Sequence, residues 1–267
     1  MDLGSLFSAL LMGIVEGITE FLPISSTGHL ILLGELIGFE GPPGKTFEIS
    51  IQLGAILAVV VIYRRLLLDL ALNMWRPGLQ RYYVLNLFLA FLPAAVIGAT
   101  LHGTITGLLF NPWVVCAALI LGGAAIIAIE RARPEPSIRS VPEIGPLAAL
   151  LIGCGQALAM IPGTSRSGAT IITALLVGVE RRAAAEFSFV LAIPTMFAAT
   201  AYSLFKARND LDFSAVGQIG VGFVTAFVVA YFTVRWLLGV IGRIGFTPFG
   251  WYRIGLGLVM LVVLALG

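Results

Sequence analysis

Two short stretches concentrate the residues of this chain that could do chemistry. In EGITEFLPISSTGHL, residues 16–30, Glu16 and Glu20 stand four apart, and Ser25, Ser26, Thr27 and His29 follow closely. That spacing puts both carboxylates on one helix face, where they suit a shared divalent cation better than two separate structural roles. Hydroxyl residues at such a point cap free helix N–H groups, which explains one of them but neither the carboxylates nor the histidine. In PGTSRSGAT, residues 162–170, Arg166 is a permanent cation whose planar fork grips phosphate oxygens. Around it Gly163 and Gly168 let backbone approach a ligand, Ser165 and Ser167 can donate, and the following helix offers its positive N-terminal end. This is an anion cradle without the Gly-Lys-Ser of a nucleotide-binding loop. The structural alternative is a fixed buried ion pair between Arg166 and Glu16 or Glu20, an arrangement seldom favourable without a function.

Both stretches lie in apolar surroundings. Hydrophobic residues make up 59% of the 267 and charged ones 11%, and the mean hydropathy is +1.02; a soluble chain carries roughly twice that charged fraction. The chain reads as an all-α polytopic membrane protein with one membrane domain over 1–267. An unpaired carboxylate at bilayer depth costs about 2.5–3.5 kcal/mol on insertion scales, so Glu16 and Glu20 demand partners. A net charge of +2, with basic residues scattered through short loops, points away from nucleic acid. Cys116 and Cys154 lack the spacing of a metal site or disulfide framework and read as buried small hydrophobes. No removable signal peptide is expected, so the first apolar segment reads as structure.

Six stretches, 47–63, 82–101, 113–129, 187–205, 216–241 and 249–266, approach or meet the length of about 20 apolar residues that a crossing helix needs. The other apolar pieces, 5–22 with 24–38 and 145–161 with 168–179, form two adjacent pairs broken by LPISSTG and IPGTSRSG, and read as re-entrant helix pairs. A shift of 140 positions lays Gly13 on Gly153, Ser25 on Ser165 and Gly28 on Gly168. Glu48 matches Glu186 at a slightly shorter shift, and Phe110-Asn-Pro112 corresponds to Phe246-Thr-Pro248. The chain thus reads as two repeats, about 5–129 and about 145–266, and the odd number of spans between their starts inverts the second. Inverted repeats with broken helices place a binding site near the bilayer midplane, where the breaks meet. Arg64, Arg65, Arg76, Arg81, Arg131, Arg133, Arg139, Arg181, Arg182 and Arg243 collect on one side, and Lys45, Lys206 and Arg208 on the other. The first side is then cytoplasmic, with both termini and the entry to the first pair outside. His102, Lys206, Arg208 and residues 130–143 read as loop.

Beyond these readings, EGITEFLPISSTGH and PGTSRSGAT, with KTFEISIQLGAILAVV from Lys45, EFSFVLAIP from Glu186 and FTPFGWYR from Phe246, closely resemble the bacterial undecaprenyl pyrophosphate phosphatase family over nearly the whole chain. The resemblance implies an enzyme of the bacterial inner (cytoplasmic) membrane that hydrolyses undecaprenyl diphosphate to undecaprenyl phosphate and inorganic phosphate. That reaction recycles the lipid carrier of cell-wall synthesis and confers bacitracin resistance. Dependence on a divalent cation, Mg²⁺ or Ca²⁺, is also implied, as are functional roles for Glu16, Glu20, Ser25, Ser26, Thr27, His29, Ser165 and Arg166. The family's six spans, two re-entrant regions and outward-facing site agree with the topology above. The residue chemistry fits, since Arg166 and a cation on Glu16 and Glu20 would neutralise a diphosphate. Attack could come from Ser26, activated by His29 or Glu20, or from a water held by the same groups. His29 could protonate the leaving lipid phosphate. The expected partners are a polyprenyl diphosphate lipid and the bilayer, with a homo-oligomer left open. The rival reading is a secondary transporter or flippase of a polyprenyl phosphate, because transporters share this architecture.

Overall fold

An apolar chain in lipid must satisfy its peptide groups internally, and helix does so locally. The computed structural model describes residues 3–39, 46–133, 135–206 and 215–266, apart from the side chains of residues 102, 104 and 106. Lys45 and Arg208, two of the expected outer basic residues, lie outside the described residues. In order, the helices are α1 (Leu3–Thr19), α2 (Ser26–Ile37), α3 (Thr46–Ile62), α4 (Arg64–Asn73), α5 (Leu79–Leu109), α6 (Pro112–Ala132), α7 (Pro146–Ala157), α8 (Arg166–Leu176), α9 (Arg181–Lys206), α10 (Val216–Ile244) and α11 (Thr247–Leu266). Among the described residues the only extended pairing is an isolated parallel bridge between Ile138 and Val179.

Five of these helices, α5, α6, α9, α10 and α11, are long and apolar enough to cross a bilayer. Expected as a sixth span, α3 has 17 residues, about 25 Å of helix. It stops at Ile62, and after Tyr63 the chain starts α4 with Arg64 and Arg65. Leu85, Phe88, Leu92 and Val96 of α5 and Val224, Val228 and Phe232 of α10 are exposed. Such stripes would be a liability in water and are an ordinary surface in lipid. The chain is a multi-pass membrane protein.

The short helices form two pairs, α1 with α2 and α7 with α8, interrupted at 20–25 and 158–165. Both interruptions are built alike. Ser25, at φ 70°, and Ser165, at φ 73°, are the only non-glycine residues with positive φ among the described residues, and each heads a helix. A side chain there is strained, and the 140-position shift superposes the two. The same shift carries Gly13 onto Gly153. A Cβ on Gly13 would overlap the Gly222 carbonyl of α10, and one on Gly153 would overlap the Ala90 backbone of α5. α1 therefore packs closely against α10, and α7 against α5.

Three loop expectations change. His102 lies within α5. Lys206 ends α9. Glu130 sits inside the last turn of α6, buried, and its carboxylate pairs with Arg181 at the start of α9, Nε donating at 2.6 Å. Burial of that carboxylate requires the arginine, so the 130–143 segment begins as helix. Cys116 is buried, whereas Cys154 is exposed on α7.

Candidate active site

Glu20 continues the last turn of α1, its amide donating to the Glu16 carbonyl at 3.0 Å. Its carboxylate, in a residue 8% exposed, is shared between the two breaks. Ser26, the first residue of α2, donates its hydroxyl to Glu20 Oε2 at 2.6 Å. Arg166, the first residue of α8, donates to Glu20 Oε1 from Nη2 at 3.2 Å and Nε at 3.4 Å. Its Nη1 donates to the Ser188 carbonyl at 3.2 Å, and the guanidinium lies 5.7 Å from the centroid of the Phe21 ring. A second tie joins the breaks where Ser167 donates to the Leu22 carbonyl at 2.8 Å. Ser165 caps α8, its hydroxyl accepting from the Gly168 amide at 3.1 Å.

The position of His29 separates two roles the sequence left together. Its Nδ1 lies 2.7 Å from the Ser25 carbonyl and its Nε2 lies 2.7 Å from the Tyr252 hydroxyl, with the two rings stacked. A carbonyl only accepts, so Nδ1 carries the proton and, in the neutral ring, Nε2 accepts from the tyrosine. Both nitrogens are engaged away from Ser26, and the group hydrogen-bonded to the serine hydroxyl is Glu20.

Glu20, Ser25, Ser26, Thr27, Gly163, Ser165 and Arg166 line one end of a cavity of about 480 Å³. Its remaining wall is largely apolar, with Phe91, Ala94, Ala95, Gly98 and Ala99 of α5 facing Met196, Ala198 and Ala199 of α9. Glu16, His29, Ser167 and Gly168 are not among the residues that line it. Glu16 is 1% exposed, and both its carboxylate oxygens lack a hydrogen-bond partner. Two carboxylates one turn apart, one of them orphaned, fit the oxygen donors that Mg²⁺ or Ca²⁺ takes. Among the described residues no group of three or more His, Cys, Asp or Glu gathers to hold a metal. Substrate phosphates and water would complete such a shell.

Four residues of the site escaped sequence reasoning. Gln52 and Gln156 line the cavity. Gln156 is 2% exposed, its Oε1 accepts from Thr195 at 3.3 Å, and its Nε2 has no partner. A signal for it existed, because the 140-position shift lays Glu16 on Gln156. Tyr252 meets His29, and Arg253 reaches both breaks from α11. A charge inside the apolar stretch 249–266 was the available sign of Arg253.

The family model described as bacitracin resistance protein BacA matches residues 9–259. Undecaprenyl-diphosphatase 2 of Paramagnetospirillum magneticum is 52% identical over 259 residues, covering 97% of this chain and 99% of its own length. The undecaprenyl-diphosphatase of Dechloromonas aromatica is 51% identical over 267 residues, covering 100% of this chain and 97% of its own. That of Methylococcus capsulatus is 52% identical over 254 residues, covering 95% and 93%. Matched nearly from end to end, the chain belongs to the BacA bacitracin resistance protein family.

Proposed function

We propose that this chain is an undecaprenyl-diphosphatase, hydrolysing undecaprenyl diphosphate to undecaprenyl phosphate and inorganic phosphate. The observation that carries the reading is the Ser26 hydroxyl 2.6 Å from a Glu20 carboxylate that also binds Arg166, at the polar end of an otherwise apolar cavity. A nucleophile, a proton acceptor and a phosphate-binding cation in one place are what phosphoryl transfer from a lipid requires.

The terminal phosphate lies against Arg166 and the hydroxyls of Ser25, Thr27 and Ser165, with the backbone of Gly163 close by. The prenyl tail runs out between α5 and α9. Ser26 Oγ attacks the terminal phosphorus as its proton passes to Glu20. The bond to the bridging oxygen breaks, and Glu20 hands the proton to the departing lipid phosphate. Water then attacks the phosphoserine, giving a proton to Glu20, which returns it to Ser26 as phosphate leaves. His29, held through Ser25 and Tyr252, fixes the turn that presents Ser26. Glu16 and Glu20 would hold the divalent cation, whose charge when bound offsets that of the diphosphate oxygens.

Around this site α1/α2 and α7/α8 are two re-entrant pairs of an inverted repeat, and α3 with the five long helices makes six spans. Support comes from the matched strained serines and the matched glycine contacts. The arginine-rich loops face the cytoplasm and the cavity opens to the outer face of the bacterial inner membrane.

Purified protein in detergent, with no gradient across any membrane, should release phosphate from undecaprenyl diphosphate. A polyprenyl phosphate transporter would release none there and would move lipid between leaflets of a vesicle instead.

A further inference from the structure

Arg253 of α11 is 0% exposed and forms no ion pair among the described residues. Its guanidinium is engaged by main chain alone. Nη1 donates to the Thr164 carbonyl at 2.8 Å and to that of Pro23 at 3.3 Å. Nη2 donates to Gly163 at 3.0 Å and Ala118 at 2.9 Å, and Nε to Leu119 at 3.4 Å. These five bonds match the donor capacity of a guanidinium, and they join the first break, the second break and α6. The slot is kept open by glycine: a Cβ on Gly122 would overlap Nη2, and one on Gly168 would come within 3.1 Å of Nη1.

What this grip does to the site follows from peptide geometry. In a trans peptide the carbonyl and the amide point opposite ways, and no peptide bond among the described residues is cis. With the Thr164 carbonyl drawn to Arg253, the Ser165 amide in the same peptide points away from it. That amide makes no hydrogen bond among the described residues, and Ser165 itself lines the cavity beside Arg166. The strained φ of 73° at Ser165 is a conformation that surrounding contacts must impose. We propose that Arg253 is a positioning residue of the phosphate site, holding the two breaks in register and aiming the Ser165 amide at a phosphate oxygen of the substrate. The inference rests on the phosphatase reading of that site.

Arg253→Lys and Arg253→Ala are compared with wild type for phosphate release from undecaprenyl diphosphate and for Tm in one detergent. Lysine keeps the charge but cannot span five carbonyls. Arg253→Lys should fold, keep its KM and lose kcat by about 100-fold, the scale of one misplaced oxyanion donor. Arg253→Ala should regain part of its kcat in added guanidinium and none in ammonium at the same concentration. Gly122→Ala, which takes the space of Nη2 and leaves the arginine in the chain, should also lower kcat at unchanged KM. Wild-type kcat per folded molecule in either Arg253 variant would overturn the proposal. Activity that falls only with the folded fraction and ignores guanidinium would do the same, as would failure to recover either variant folded, since both describe an arginine that only maintains the fold. If wild type releases no phosphate from the lipid, the phosphatase reading fails and this inference with it.

Discussion

Ser26, Glu20 and Arg166 form a chain of three groups in which each oxygen of one carboxylate has its own task. Glu20 Oε2 accepts from the Ser26 hydroxyl, the proposed nucleophile, and Oε1 from the guanidinium. Removing the nucleophile should therefore reduce turnover by several orders of magnitude, as in other enzymes whose catalytic groups act as a unit. Ser26→Ala should show this without loss of Tm. Rapid acid quenching of wild type with substrate labelled in the terminal phosphate should trap label on Ser26, and an unlabelled serine with full activity in Ser26→Ala would leave water as the nucleophile. Glu16, whose carboxylate is orphaned, has a different signature. Glu16→Gln should raise the Mg²⁺ or Ca²⁺ concentration needed for half-maximal rate, and chelation should silence wild type reversibly; activity indifferent to chelator would remove the metal from both carboxylates. These residues were legible in the sequence because ionisable groups in an apolar run are expensive and need a reason. Arg253 was harder to read, since its partners are backbone carbonyls, which leave no mark in residue types.

The elements that carry these groups are held by backbone approaches that only glycine permits. Gly13→Leu should wedge α1 from α10 at Gly222, and Gly153→Leu should wedge α7 from α5 at Ala90. Each should cost about 1–3 kcal/mol, the usual penalty of overpacking, and read out as a lower Tm. Gly34→Ala on α2, where nothing stands within 4 Å of an added Cβ, should be neutral or slightly stabilising. A similar Tm for all three would mean that α1 and α7 are not seated where the matched glycines put them. Apolar run length located the long helices, and the shifted pattern paired Ser25 with Ser165 and Gly13 with Gly153. It did not mark Arg64–Asn73 as a helix of its own, and it could not foresee that α6 would continue to a buried Glu130, because a run of residues does not contain its tertiary partner, here Arg181.

For the whole molecule, the proposed sidedness puts the arginine-rich loops in the cytoplasm. With Cys116 and Cys154 replaced by alanine, a cysteine at Phe110 should react with an impermeant reagent from outside intact cells. Cysteines at Arg76 and Arg139 should react only after permeabilisation. The reverse pattern would turn the cavity mouth toward the cytoplasm. The deeper claim at this scale is that two distant breaks in the chain make one phosphate site, with Arg166 meeting Glu20 across 146 positions. Lysine at 166 keeps the charge but not the planar fork that grips phosphate. The most direct test is kcat per folded molecule for Arg166→Lys, with Tm measured in the same detergent. A shared phosphate site predicts a loss of about 10²- to 10³-fold in rate at a Tm close to wild type; normal turnover per folded molecule would show that the second break lies outside the chemistry.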